Sequence, residues 1–314
     1  MHELTRWRVG GPADLIVEPS STEETARLIL SLNENKVPWL VIGHTSNLLV
    51  CDVGIRAIVI RIAERMTGIK FQGTKAWAQA GLWVPHFASA VGRRGLSGIE
   101  HTIGIPGTLG GLVCMNGGSM RKGIGENVAS VTCVAPSGDL IELDHSGCDF
   151  SYRSSRIQRE RLIVTEANFQ FTPRDRHDAC REMLKILRER SKKFPRKLPN
   201  CGSVFVSNPS MYERHGPPGA VIEKCGLKGL THGGAQISPL HANFIVNLGT
   251  ATSSDILKLI HTTRDRVKSI FHLDLECEVR FVNEQGKVLP AHKTHNQSRP
   301  CRFAGEQPLD LHGN

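Results

Sequence analysis

Aromatic side chains are scarce in this chain of 314 residues, at 5%, and only two of them are tyrosines. A platform for single-stranded nucleic acid stacks successive bases on such rings. The net charge of +9 and the pI near 9.2 therefore point to small anionic ligands, nucleotide-bearing ones included, and no nucleic-acid partner is expected. No apolar run reaches the roughly 18 residues that a spanning helix needs, so no membrane partner is expected. The opening residues, MHELTRWRVGG, lack the apolar core of a secretory signal, and a cytoplasmic location follows as the expectation. Nine cysteines are scattered, odd in number and never spaced as CxxC, which supports neither a zinc site nor a disulfide framework. Most are expected to be small buried hydrophobes. The 14 histidines form no HExxH pair, and no metal is expected. Also missing are the GxGxxG of a Rossmann unit, the GxxxxGK[ST] of a P-loop and any internal repeat.

The chain is long enough for two or three packed units. Hydrophobic residues at 39% and charged residues at 22% describe a globular protein. An α+β fold is expected. The first unit, residues 1–63, reads as a β-α-β arrangement followed by another strand. DLIVEP (14–19) is expected as a short buried strand, and Ser21 with Glu24 forms a capping box before an amphipathic helix. WLVIG (39–43) and AIVIRI (57–62) follow as strands, with GHTSNLLV as the polar loop between them. The second unit, 64–172, alternates short strands with turns and carries one helix near VPHFASAVGRRG. A basic amphipathic helix connects it, within 173–198, and ends at the prolines of FPRKLP. The third unit, 199–284, contains a strand-like GSVFVS, short helical and strand segments, a capped helix in SSDILKLIHTTRDRVKSIF, and a closing strand LECEVRFV. Residues 285–314 show no periodicity and are expected to be a mobile tail.

What is abundant is glycine at two places. The stretch GIEHTIGIPGTLGGLVCMNGG, ending at Gly118, holds seven glycines and no acid after Glu100. Bare backbone lets main-chain N–H groups close on a phosphate or a ring face that a Cβ would hold off. The GHTSN loop (43–47) offers exposed amides together with Thr45, Ser46 and Asn47. Turns use the same residues, so neither loop is diagnostic alone. Two such loops, each beside an apolar segment, strengthen the reading of a ligand site.

RVGGPA, GHTSNLLV, GIPGTLGGLVCMNGG, SYRSS, CGSVF, IEKCGLKG, GGAQISPLHANFIVN and LECEVRF occur in the order seen in the UDP-N-acetylenolpyruvoylglucosamine reductases, the MurB family. The resemblance spans about residues 6–284. It implies a two-subdomain FAD-binding fold of the PCMH/VAO type with a C-terminal substrate domain, FAD bound non-covalently, and NADPH as co-substrate. It further implies reduction of the enolpyruvyl ether of UDP-N-acetylglucosamine enolpyruvate to UDP-N-acetylmuramate, for peptidoglycan precursors, by a monomer that takes a UDP-sugar. Gly43, Thr45, Ser46, Asn47, Gly104, Pro106, Gly107, Gly110, Gly111 and Asn116 match the loops around the cofactor.

The implied chemistry adds hydride to a vinyl ether that bears a carboxylate, and negative charge collects on the neighbouring carbon and that carboxylate. A site for it needs a cation or donors for the charge and an acid for the proton. Ser203 in CGSVF matches the family's proton donor; read alone, it is a turn hydroxyl. Arg153 in SYRSS matches the arginine that polarises the enolpyruvyl group; read alone, it is a surface arginine. Glu278 in ECEVRF matches the glutamate near the same carbon, where it must be protonated or orient a donor; read alone, it pairs with Arg280 or another cation. Strand alternation puts Glu276, Glu278 and Arg280 on one face. Asn208, Lys228 and His241 match substrate positions, although a histidine before an apolar strand commonly packs.

Three departures from the family pattern stand out. Val206 and Ser207 replace the usual lysine after GSVF, so a substrate cation is missing or supplied elsewhere. GHTSN carries less glycine than usual, so His44 projects outward or touches the cofactor. Fewer residues precede RVGGPA than in the family, which questions the pairing of the first strand. The 50 residues between Arg153 and Ser203 resemble the type II branch, which lacks a tyrosine-bearing loop over the substrate. A paralogue acting on another nucleotide-linked enol ether and a non-catalytic flavin-binding module are the alternatives.

Overall fold

A computed structural model describes residues 1–207, 209–212 and 214–294. Asn208 and the chain beyond Thr294 lie outside the described residues.

Ala13–Val17, Ile55–Arg61 and Trp39–Ile42 form a parallel three-stranded sheet with Ile55–Arg61 in the centre. The helix Thr22–Glu34 connects the outer two strands. Its N-cap Ser21 accepts from Glu24 N–H, but the Glu24 carboxylate accepts from Ser20 N–H at 2.7 Å instead of from Ser21 N–H, so only half of the expected capping box forms. The strand at 13–17 is paired, so the short segment before it removes no strand pairing here. It is not buried, however. As an edge strand it has one neighbour, and Leu15 is 51% exposed. Apolar residues in a short run do not distinguish an edge from a centre.

The second unit is an antiparallel five-stranded sheet, in the order Ile69–Gln72, Lys75–Gln79, Ile163–Gln170, Val128–Val134, Leu140–Asp144. The helices Val84–Gly92 and Leu109–Cys114 pack on it. The basic helix Arg176–Lys193 is no free connector, because Met183 and Ile186 enter the same core as Phe87, Phe169 and Ile29.

The third core gathers the helices Pro218–Lys224 and Ser253–Phe271 and the sheet Thr231–His232, Ala235–Ile237, Ile245–Asn247. The N-terminal segment joins this unit rather than the first. Trp7 is fully buried there and its indole N–H donates to the Ile245 carbonyl at 2.7 Å. Asn247 Nδ2 returns a bond to the Trp7 carbonyl at 2.8 Å.

Three expected elements differ. The loop 43–50 ends in a strand, Leu48–Val50, which pairs in parallel with Arg280–Val282. Only those three residues of LECEVRFV are a strand. GSVFVS forms a single bridge, Phe205 to Cys277, because its main chain is held from the other side by a side chain. Buried Asn243 accepts from Phe205 N–H at 2.9 Å and donates to the Phe205 carbonyl at 3.0 Å. The beginning of the expected tail is ordered structure. Val288–Pro290 pairs with Arg280–Val282, and Ala291 is fully buried. A three-residue strand is too short for periodicity to reveal. The outcome is a further three-stranded sheet that joins Leu48–Val50 to the C-terminal segment, and Val50 and Val282 on it pack against Leu40, Ile42 and Val59 of the first sheet. No helix among the described residues is long and apolar enough to cross a membrane.

Candidate active site

The two glycine-rich loops touch. A Cβ on Gly43 would stand 2.3 Å from Thr108 Oγ1, and one on Gly107 would stand 3.0 Å from Ser46 Oγ. A side chain at Gly43 would collide with Thr108, and at Gly107 the left-handed backbone (φ +147°) disfavours any residue but glycine. Between the loops and the third unit opens a cleft of about 1740 Å³, larger than the roughly 300–1,000 Å³ that holds one drug-sized ligand. Gly43, Thr45, Ser46, Asn47, Gly104, Pro106, Gly107, Gly110 and Gly111 all line it, as do Arg153, Ser203 and Glu278. Ten lysine and arginine side chains line the cleft against one acid, Glu278. Such a surplus within low-dielectric walls concentrates anions.

Not every loop residue faces the cleft with its side chain. Thr45 is left-handed (φ +50°) and buried, and its hydroxyl donates to the Leu4 carbonyl at 3.0 Å and accepts from Arg6 N–H at 3.3 Å. Asn47 Nδ2 donates to the Glu278 carbonyl at 3.0 Å, and the Asn47 carbonyl accepts from Arg280 N–H at 3.0 Å. The loop thus carries the Glu278 segment on its own continuation. His44 lines the cleft, with Nε2 at 3.2 Å from Glu64 Oε1 and its ring 5.2 Å from Trp83. Asn116 lies off the cleft wall. Its amide donates to the Ser151 carbonyl at 2.8 Å and its Oδ1 accepts from Gly125 N–H at 3.0 Å, which ties two loops together.

Main-chain pairing brings Ser203 and Glu278 to neighbouring positions. Glu278 N–H donates to the Val204 carbonyl at 2.9 Å, and Val206 N–H donates to Glu276 at 2.8 Å. Around Glu278 the chain alternates as expected: Leu275, Cys277 and Val279 are buried, and Glu276 is exposed. Arg153 comes from the second unit, in the left-handed region (φ +55°), with Nη2 donating to the Gly118 carbonyl at 3.0 Å. Its Nε stands 3.5 Å from Glu278 Oε1, an ion pair too long for a good hydrogen bond, and this Nε has no hydrogen-bond partner among the described residues. Of the cations open to it, Glu278 thus pairs with Arg153 and not with Arg280. Among the described residues the Ser203 hydroxyl and the Glu278 carboxylate accept or donate no side-chain hydrogen bond.

Burial raises the Glu278 pKa above the usual carboxylate value, and the attraction of Arg153 only partly offsets this. The unfolded chain ionises this carboxyl in its ordinary range, so above that range folding must bury a charge or take up a proton. The stability from this group is full below the ordinary pKa and is lost as pH rises through the folded value. Glu278→Gln should therefore be more stable than the parent at pH 8. Each pKa unit is worth about 1.4 kcal/mol, and each kcal/mol moves a thermal midpoint by roughly 2–4 °C. Melting both proteins at pH 8 and pH 4 checks this: a gap present at pH 8 should vanish at pH 4.

Two of the expected substrate residues, Lys228 and His241, lie off the cleft wall. Lys228 forms an exposed ion pair with Glu223 at 2.9 Å. His241 packs against Phe244 at 5.0 Å and Phe194 at 5.4 Å, its Nδ1 accepts from Asn243 N–H, and burial lowers its pKa so that it stays neutral. Asn208 lies outside the described residues. Both tyrosines of the chain meet at Ser207, which stands in the stretch after GSVF where a lysine is usual. The Tyr152 hydroxyl donates to its carbonyl at 3.0 Å, and its hydroxyl bonds Tyr212 Oη at 2.6 Å.

Two residues escaped the sequence reading. Asn243 fixes the Ser203 strand, and nothing in HANF signals it beyond a polar residue in an apolar run. Arg190 lines the cleft from a helix whose charge reads as a solvated face. Among the described residues no cluster of three or more His, Cys, Asp or Glu is placed to hold a metal.

Residues 194–282 match the C-terminal domain of UDP-N-acetylenolpyruvoylglucosamine reductase, and residues 13–144 match an FAD binding domain. UDP-N-acetylenolpyruvoylglucosamine reductase 1 of Corynebacterium glutamicum is 43% identical over 300 residues, covering 96% of this chain and 90% of that one. The reductase of Heliobacterium modesticaldum is 38% identical over 286 residues, 91% of this chain and 90% of the other. The solved structure of MurB from Thermus caldophilus superposes with a TM-score of 0.75 at 33% identity, over 89% of this chain and 96% of that one.

Proposed function

The chain belongs to the UDP-N-acetylenolpyruvoylglucosamine reductase family, the MurB family, and we propose that its cleft holds FAD and the sugar-nucleotide substrate together, with Arg153, Ser203 and Glu278 at the reacting atoms. The protein has the family's fold, a two-part FAD-binding domain of the PCMH type with a C-terminal domain. It is an FAD-dependent oxidoreductase of peptidoglycan precursor synthesis with NADPH as co-substrate. The residues present fit the cofactor: side-chain-poor loops, a cleft too large for one small ligand, and walls with an excess of cations.

The observation that carries the assignment of roles is the convergence of three side chains from distant parts of the chain on one wall. Bound flavin, reduced by NADPH, supplies hydride to the enol ether of UDP-N-acetylglucosamine enolpyruvate. The Arg153 guanidinium holds the substrate carboxylate as charge accumulates on it, with a fork suited to two oxygens. Ser203, free of internal partners among the described residues, delivers the proton that completes saturation of the double bond to UDP-N-acetylmuramate, and solvent restores it. Glu278, whose pKa is raised by burial, stands 3.5 Å from the Arg153 guanidinium. The loop 43–47 and the segment 104–111, whose last three residues open the helix Leu109–Cys114, hold the cofactor. No loop is inserted between the helix Arg176–Lys193 and Ser203, which supports the type II reading. The cleft is lined by residues of one chain, and we take the protein to act as a monomer in the cytoplasm.

The purified protein should be yellow and release FAD on denaturation. It should oxidise NADPH with the enolpyruvyl sugar nucleotide. Colourless protein that takes up no added FAD would remove this reading. Flavin reduction without turnover of that substrate would favour a paralogue with another enol ether.

A further inference from the structure

Arg190 falls in neither matched segment, yet it lines the cleft beside the glycine-rich segment. It is held on two sides. Its guanidinium carbon lies 4.9 Å from the Phe194 ring centre, and that ring stacks on Phe244 at 5.0 Å. On the other side, a Cβ on Gly104 would stand 2.5 Å from Arg190 Cδ and Nε, so the stem lies directly on the loop backbone. No carboxylate among the described residues pairs with it. Burial and the nearby Arg196 disfavour its charge, lowering its pKa. A desolvated cation without a counter-ion destabilises the fold that contains it. Lining the cleft, the guanidinium is placed to take its counter-ion from a ligand bound there. Contact with Gly104, inside the segment that matches the FAD binding domain, identifies which ligand.

We propose that Arg190 anchors the flavin nucleotide by donating to one of its anionic oxygens, on the pyrophosphate or on the carbonyl edge of the ring in its reduced form. This rests on the FAD reading above. The residue comes from the helix joining the two matched segments, so cofactor binding would also fix that helix against the loop.

The test uses full-length apoprotein and FAD, with affinity read from flavin fluorescence and the midpoint potential from dye equilibration. Arg190→Met, Arg190→Lys and the exposed same-helix control Arg188→Met are compared with the parent. If the partner is the pyrophosphate, Arg190→Met should weaken FAD binding roughly 10- to 100-fold, the range for one charge-assisted hydrogen bond, with a shallower salt dependence. If it is the ring, affinity should change less and the midpoint potential should fall, because the reduced anion loses its cation. Arg190→Lys should lie between parent and Met, and it decides the matter if the Met protein does not fold. Arg188→Met should match the parent. FAD affinity within threefold of the parent together with an unchanged potential in Arg190→Met, or in Arg190→Lys where the Met protein does not fold, overturns the proposal alone. A parent apoprotein that takes up no FAD overturns the cofactor reading and this proposal with it.

Discussion

Ser203→Ala should leave reduction of the flavin by NADPH intact and slow its reoxidation by the enolpyruvyl substrate roughly 10²- to 10⁴-fold, the range for loss of a positioned proton donor. The split follows from where the residue sits. Ser203 lies on the wall shared with Glu278, fixed there because Val204 accepts from Glu278 N–H and Asn243 clamps Phe205 on both its polar groups. Its hydroxyl has no competing bond among the described residues, so removing it leaves no unsatisfied partner behind. Alanine should thus fold and bind FAD like the parent. Stopped-flow traces of the two half-reactions separate the outcomes: equal loss in both would show that Ser203 supports the cofactor and not the proton transfer.

Arg153→Met should cost reoxidation roughly 10²- to 10³-fold, the amount typical of losing one preorganised donor to a developing anion. Two effects combine. The substrate carboxylate loses its fork, and Glu278 loses the only cation within 4 Å of it among the described residues. Without that attraction the Glu278 carboxyl is pushed further toward its neutral form. The double variant Arg153→Met/Glu278→Gln should therefore be less impaired than the product of the single effects, because the two groups share one interaction. Additive losses would mean that the 3.5 Å contact has no functional weight. Lysine at 153 should recover little, since it supplies charge without the planar fork.

The glycine loops were legible because their function is written in composition. A surface that must approach phosphates and a flat ring by its main chain has to exclude Cβ atoms, and Gly43, Gly104, Gly107, Gly110 and Gly111 all line the cleft. Ordered motifs carried the three reacting residues as well. The substrate residues were less legible. Lys228 and His241 match motif positions, but an acid five residues before the lysine and two phenylalanines around the histidine engage them instead. Arg190 was hidden in a basic helix because its exposure depends on a loop 86 residues earlier in the chain, Gly104, which periodicity cannot see.

Local rules within the chain determined the helices, their caps, most strands of the five-stranded sheet and the two loops that bare their backbone, since each of these depends on neighbours a few residues apart. Tertiary structure alone decided that Leu48–Val50 pairs with Arg280–Val282, that Trp7 is buried in the last unit instead of the first, and that Arg153 meets Glu278. Those contacts join segments more than a hundred residues apart, and their free energy comes from burying shared surface, a quantity that no short window of residues contains.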